Sequence, residues 1–142
     1  MEDIDFKKIK RVNFNFNWGS EKKNQVFKLS IEGEEEILGL MSLIHFEQEQ
    51  RIEINLLAAS KTNIGQNKIY DRIAGNLIAY ACRECVKLHP EYACVSLIPK
   101  TDLRQHYVDQ YGMIDDGGYH LYLEGISLYQ IINNFDIWNL KK

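Results

Sequence analysis

EINLLAASKTNIGQNKIYDRIAGNLIAYACRECVKL, running from Glu53 to Leu88, decides the fold of this chain. It opens inside a strand: Arg51-Ile52-Glu53-Ile54-Asn55-Leu56 alternates polar and apolar with period two, and from Leu56 to Ala59 both faces turn apolar or small. Ser60 to Asp71 then gathers Lys61, Asn63, Gly65, Asn67 and Lys68 into one loop. At about a dozen residues it exceeds the roughly two to six that a strand-to-helix turn needs, so it is functional or disordered. Beyond it, Ala74, Leu77, Ile78, Ala81, Cys82, Cys85 and Leu88 recur at helical spacing, opposite a stripe of Arg72, Asn76, Tyr80, Arg83, Glu84 and Lys87. This predicts an amphipathic helix, stopped by His89-Pro90. Tyr92 to Pro99 follows as a second strand, and a strand-helix-strand crossover makes its two strands parallel and lays the helix on the sheet. The helix N-terminus points unsatisfied N–H groups at whatever the loop encloses, which outlines an anion site.

Upstream, Val12, Phe14, Phe16 and Trp18 alternate as a first strand; Gly19 to Asn24 turns, and Gln25 to Glu32 forms a second. Gly33 to Glu36 connects to a nearly all-apolar third strand, Ile37 to Phe46, and Glu47-Gln48-Glu49-Gln50 leads back into the strand that carries Glu53. Four strands with short loops make an antiparallel meander. Downstream, Asp102 and Gln105 have capping-box spacing for a short helix bearing Leu103, Tyr107 and Tyr111 on one face, with Gly112 at its C′ position. Met113 to Asp116 is at most a short strand, Tyr119 to Leu123 closes the sheet, and Ile126 to Phe135 is a C-terminal helix, with Trp138 and Leu140 as an extension. The expected class is α+β: a mixed sheet in which a meander leads into a β-α-β crossover, within one domain spanning residues 1–142.

With 142 residues the chain can bury roughly 68 to 70% of its unfolded surface in one core, without staples. A net charge of −3 and a pI near 5.8 offer a phosphate backbone no bulk attraction, so nucleic acid is not an expected partner. No apolar run approaches the roughly 20 residues of a membrane span, and Met1-Glu2-Asp3-Ile4-Asp5 is unlike a signal peptide, so a cytoplasmic location is expected. Three cysteines fit a reducing compartment. Cys82 and Cys85 make a C-x-x-C, but the pair lies well inside the helix, away from the N-terminus that lowers a redox thiol's pKa, and only His89 is within reach as a further zinc ligand. Packing is the expected role, and no metal is expected. His45, His89, His106 and His120 are scattered, and spacing builds no catalytic triad from them.

The order of elements resembles the GNAT-like (GCN5-related) N-acetyltransferase superfamily over about residues 37 to 123. Three places carry the resemblance. Glu53 to Ala59 is similar to the family's fourth strand, where a Glu often serves as general base and the last residues, here Leu57, Ala58 and Ala59, pair with the pantetheine arm of acyl-CoA. The family's phosphate loop, Gln/Arg-x-x-Gly-x-Gly/Ala, falls on Ile69-Tyr70-Asp71-Arg72-Ile73-Ala74, where only Ala74 agrees. The preceding Asn63 to Tyr70 resembles a short bacterial branch of the family. Tyr107-Val108-Asp109-Gln110-Tyr111-Gly112-Met113 is close to the family's Tyr-x-x-x-x-Gly-Phe, whose Tyr often protonates the departing thiolate.

The resemblance implies an acyltransferase that uses acetyl-CoA as acyl donor and an unidentified amine as acceptor. It implies Glu53 and Tyr107 as catalytic residues, and a cofactor seat of Leu57, Ala58, Ala59, Lys68, Tyr70, Arg72, Ile73, Ala74, Gly75 and Asn76. The strands would part around residues 57 and 95 to admit the cofactor. Arg72, standing where the family has Gly, pairs with phosphate alongside Lys68 or is a solvated surface residue. The chemistry asks for such groups on its own account. A primary amine with a pKa near 10.4 is mostly protonated at pH 7, so attack on a thioester needs a proton acceptor, and the leaving thiolate needs a donor. The alternative for Glu53 is a polar strand residue facing water, and for Tyr107 a core aromatic on a helix face. Only Gly19 to Asn24 separates the first two strands, so the family's usual helices there are missing and a partner subunit, as in a homodimer, would complete the acceptor site. The alternatives are a non-catalytic GNAT-like binding module and a small structural protein.

Overall fold

The computed structural model of the chain describes residues 24–30, 33, 36–60 and 72–135. The expected first strand at Val12 to Trp18, the loop from Lys61 to Asp71, and the extension at Trp138 and Leu140 lie outside these residues. The described elements are β1 Gln25–Leu29, β2 Gly39–Phe46, β3 Arg51–Ala59, α1 Ile73–Leu88, β4 Cys94–Leu97, α2 Arg104–Tyr111, β5 Ile114–Asp115, β6 Leu121–Glu124 and α3 Gly125–Asn134. They build a sheet of order β1-β2-β3-β4-β6-β5, antiparallel except where β3 and β4 run parallel across the α1 crossover.

α1 lies on the sheet face formed by Met41, Leu43, Ile52, Ile54, Val95, Leu97, Leu121 and Leu123, and buries Ile73, Leu77, Ile78, Ala81, Cys82 and Cys85 there. α3 adds Leu128 and Ile131 to the same core. The helix start can settle onto β2 because Gly39 has no side chain: a Cβ there would stand 2.6 Å from a methyl of Ile73 and 3.0 Å from one of Leu77. α1 ends at Leu88, where the His89 N–H donates to the Cys85 carbonyl at 2.8 Å and Pro90 follows. Asn76, expected on the solvent stripe, is instead buried, while Leu88, expected on the apolar stripe, is mostly exposed at the helix end.

The capping box expected from Asp102 and Gln105 does not form; a 3-10 turn, Thr101–Leu103, precedes α2, and Gln105 Nε2 donates to Asp109 Oδ1 at 2.8 Å, one turn along the same helix. Gly112 does end α2, at φ +66°. The thiols of the C-x-x-C are buried, desolvation raising both pKa values, and Cys85 Sγ donates to the Cys94 carbonyl at 3.3 Å.

The feature that positions a site is where β3 leaves β4. Their ladder runs from Arg51↔Cys94 to Ile54↔Leu97. Two local causes end it there. Asn55 is an extra residue against β2, since Ser42 faces Leu56 while Leu43 faces Ile54, and such a bulge bends and twists its strand. On the other side Pro99, two residues past the end of β4, has no N–H to extend a ladder. The expected parting near residues 57 and 95 is therefore corrected to Ile54 and Leu97; Val95 sits inside the ladder, opposite Ile52.

Candidate functional site

Past the bulge, Leu57, Ala58 and Ala59 remain paired to Met41, Leu40 and Gly39 of β2, and among the described residues no strand pairs with their other edge. Because Ala59 faces Gly39, and Gly39 lies under Ile73, the end of the freed strand meets the start of α1. Leu57, Ala59, Ile73 and Gly75 are thus brought to one end of the parting, with Ala58 between them along the strand and Ala74 along the helix.

The N-cap of α1 is Arg72, in the left-handed region at φ +63° and without a side-chain cap. Its guanidinium lies 4.3 Å above the Phe135 ring and donates to the Asn134 carbonyl at the end of α3. The Phe135 ring in turn covers Gly75 so closely that a Cβ there would meet ring carbons at 2.0, 2.3 and 2.6 Å. Tyr111 of α2 packs against the same ring, centroids 5.8 Å apart. The helix start expected to face phosphate is therefore walled by an aromatic side chain, with the Arg72 guanidinium beside it. Asn76 Nδ2 donates to the Arg72 carbonyl at 2.8 Å, and its buried Oδ1 has no hydrogen-bond partner among the described residues. Lys68 and Tyr70 lie outside the described residues.

Glu53 sits one residue before the parting, on the sheet face opposite α1. Its Oε1 accepts from Arg51 at 3.0 Å and lies 2.7 Å from His120 Nε2. Arg51 also donates to Ser96 Oγ at 2.6 Å and to Glu49 Oε2 at 3.0 Å, and stacks 4.3 Å over Phe46. Burial works against the guanidinium's charge, but its bonds to Glu49 and Glu53 outweigh that and raise its pKa. The Tyr122 ring lies nearly parallel to His120, at 27° and 6.0 Å. The result is a partly buried, linked set of Glu53, Arg51, His120 and Ser96.

His120, Arg51 and Ser96 are the members that sequence reasoning missed. Register brings them together, since Ser96 stands opposite both Glu53 and Tyr122, and no local pattern in the sequence marks it. Tyr107 is elsewhere: half-buried on α2, in a cluster of three mutually contacting rings with His106 and Tyr111, with no hydrogen bond to Glu53. Desolvation raises its pKa, so the phenol keeps its proton at neutral pH.

A meander, a crossover whose parallel strands part beside a helix N-terminus, and a closing pair of antiparallel strands together define a GNAT-like fold. Among solved structures the chain is similar to GCN5 from Tetrahymena, with a TM-score of 0.52 and 12% sequence identity, covering 72% of this chain and 69% of that one. At that identity the likeness is one of fold. No family model matches the chain. No curated protein matches it. Among the described residues, no helix is long and apolar enough to cross a membrane.

Proposed function

We propose that this protein is an acyl-CoA-dependent N-acyltransferase, with acetyl-CoA as the acyl donor and an amine as the acceptor that attacks directly while both are bound. The observation that carries the reading is the parting of β3 and β4 at Ile54 and Leu97, with the Glu53 carboxylate one residue from the opening.

In this reading the edge of Leu57, Ala58 and Ala59 binds the pantetheine arm. The start of α1, with Arg72, Ile73, Ala74, Gly75 and Asn76 and with Lys68 and Tyr70 of the loop, takes the pyrophosphate. The residues present suit such a ligand through a helix N-terminus and basic side chains, provided that Phe135 gives way over Gly75. The bound thioester supplies the electrophile. Glu53 provides the negative charge of the proton-accepting centre, and the Tyr107 phenol gives a proton to the leaving sulfur. A homodimer completes the acceptor site.

Binding tests the reading. A ligand that binds only the folded state stabilises it by about 2.7 kcal/mol at one hundred times its Kd. Acetyl-CoA at millimolar concentration is expected to raise Tm by several degrees, and no shift would refute the proposal. A second reading, a GNAT-like module that binds a ligand or partner without chemistry, draws on the Arg72 guanidinium being engaged with Asn134 and Phe135. A Tm shift with no thioester consumption across a panel of amines would select it.

A further inference from the structure

We infer that His120, rather than Glu53, is the group that takes the acceptor's proton, and that Glu53 stands behind it as a positioning residue. This rests on the acyl-transfer reading above and names the atom at which its proton-accepting centre works.

The two side chains differ in access: 14% of the Glu53 side chain is exposed against 30% of His120, so the imidazole is the outer member of the pair. Glu53 Oε1 already faces two donors, Arg51 at 3.0 Å and His120 Nε2 at 2.7 Å, which occupies both lone pairs of that oxygen. With that oxygen taken up by two donors, one of them the guanidinium that Glu53 shares with Glu49, its role is to hold. A carboxylate facing Nε2 makes that nitrogen the N–H of the neutral ring, which leaves the lone pair on Nδ1. The nearly parallel Tyr122 ring restrains the imidazole plane, and Arg51 is anchored in turn by Ser96, whose side chain is fully buried. This is the order of parts in an oriented base: a half-buried imidazole, a less exposed carboxylate on its far nitrogen, and a guanidinium and hydroxyl that fix the carboxylate.

Register puts the pair at the opening. Leu97, the last residue of β4, faces Leu121 of β6, so His120 lies just beyond the end of β4. Glu53 immediately precedes Ile54, the last β3 residue paired to β4. The hydrogen bond therefore spans the strand that ends between them.

The step balances as follows. The neutral amine nitrogen bonds to the acyl carbon, and its N–H proton passes to His120 Nδ1, giving an imidazolium whose charge Glu53 stabilises. The carbon–sulfur bond breaks and the sulfur leaves with the proton of Tyr107; the imidazolium then gives its proton to solvent and the phenolate takes one back from solvent. The products are one amide and one thiol.

The test uses the full chain with acetyl-CoA and a panel of primary amines, reading thiol release. His120→Ala is expected to lower kcat by about 10² to 10³-fold while leaving the acetyl-CoA Tm shift and KM intact, and added imidazole restores part of the rate. Glu53→Gln loses about 10-fold and is not rescued by imidazole. Bromoacetyl-CoA supplies a readout that needs no acceptor: it is expected to alkylate the His120 peptide, with loss of bromide, and acetyl-CoA blocks the labelling. Near-normal turnover in His120→Ala, absence of imidazole rescue, loss of the Tm shift in that variant, or label on Glu53 or Tyr107 instead would overturn the assignment. A wild-type chain that shows no acetyl-CoA shift would sink the acyl-transfer reading itself, a separate failure.

Discussion

Gly75→Ala is the sharpest probe of how the start of α1 is built. A Cβ at this position falls 2.0 Å from the nearest ring carbon of Phe135, where ordinary contact begins near 3.4 Å, so the ring must retreat by about 1.4 Å. Overpacking of that kind costs about 1 to 3 kcal/mol. Against it stands the gain from placing Ala rather than Gly inside a helix, about 0.5 to 1 kcal/mol. The net expectation is a destabilisation of up to about 2.5 kcal/mol, centred on about 1, a fall of up to roughly 8 °C in Tm for a domain this size. Phe135→Ala removes the obstacle, and in that background the same Gly75→Ala substitution should stabilise by about 0.5 to 1 kcal/mol. The assay is a double-mutant cycle by urea and thermal unfolding, and the reversal of sign is the result to look for. If Gly75→Ala stabilises the otherwise unchanged chain, or destabilises equally with and without Phe135, then the glycine does not serve the ring. The cycle also bears on function. If Phe135 covers the phosphate seat, Phe135→Ala tightens acetyl-CoA binding, read as a larger Tm shift at equal ligand concentration, and a smaller shift would place the cofactor elsewhere.

Two further expectations concern local structure. Gln50 holds φ +53° at the end of the turn between β2 and β3, a conformation that strains any side chain, so Gln50→Gly should stabilise by about 1 kcal/mol in urea unfolding; destabilisation would mean that the Gln side chain contributes more than its backbone strain removes. Asp115 is held at a pKa of about 2, first by two hydrogen bonds from Arg104 at 2.8 and 2.9 Å and then by the Gly117 N–H. A depressed folded-state pKa stabilises above the unfolded value near 3.8 and ceases to do so as pH falls toward 2. The Tm gap between the unchanged chain and Asp115→Asn is therefore expected to be widest above pH 4 and to close between about pH 4 and pH 2, whereas a constant gap would remove this carboxylate from the acid response.

Most of the fold was legible because its signals are local. Ile52 and Ile54 alternate as a half-buried strand must, the apolar positions of α1 repeat at helical spacing, and Pro90 marks the stop. Even the loss of alternation after Leu56 carried information: the bulge at Asn55 resets the period, so Leu57 and Ala59 return to the face held by Ile52 and Ile54. What pattern could not supply was the competition between partners. Asn76 follows helical spacing onto the polar stripe, yet its amide is drawn under the helix start by the Arg72 carbonyl. Gln105 has the spacing to reach back toward Asp102 and instead bonds forward to Asp109.

The candidate site divides along the same line. Glu53 was open to selection because one residue on one strand carries its own chemistry, and the strand's ending could be sensed from Pro99 and the small residues after Leu56. His120 was not, because its meaning arises only when β6 docks antiparallel on β4 and sets Leu121 against Leu97, 67 residues along the chain from Glu53 to the histidine. Similarly, Gly75 and Arg72 fall in sequence at the expected phosphate seat without matching its motif, and only the return of α3 shows that Phe135 and Asn134 already engage them. A contact formed by loop closure over such separations leaves no trace in local periodicity. The proposed cofactor seat and the proposed proton-accepting centre consequently depend on different parts of the chain: the first on how firmly the end of α3 holds the start of α1, the second on the β3-β4-β6 register. Substitutions at Phe135 should change acetyl-CoA affinity without touching proton transfer, and substitutions at His120 should do the reverse.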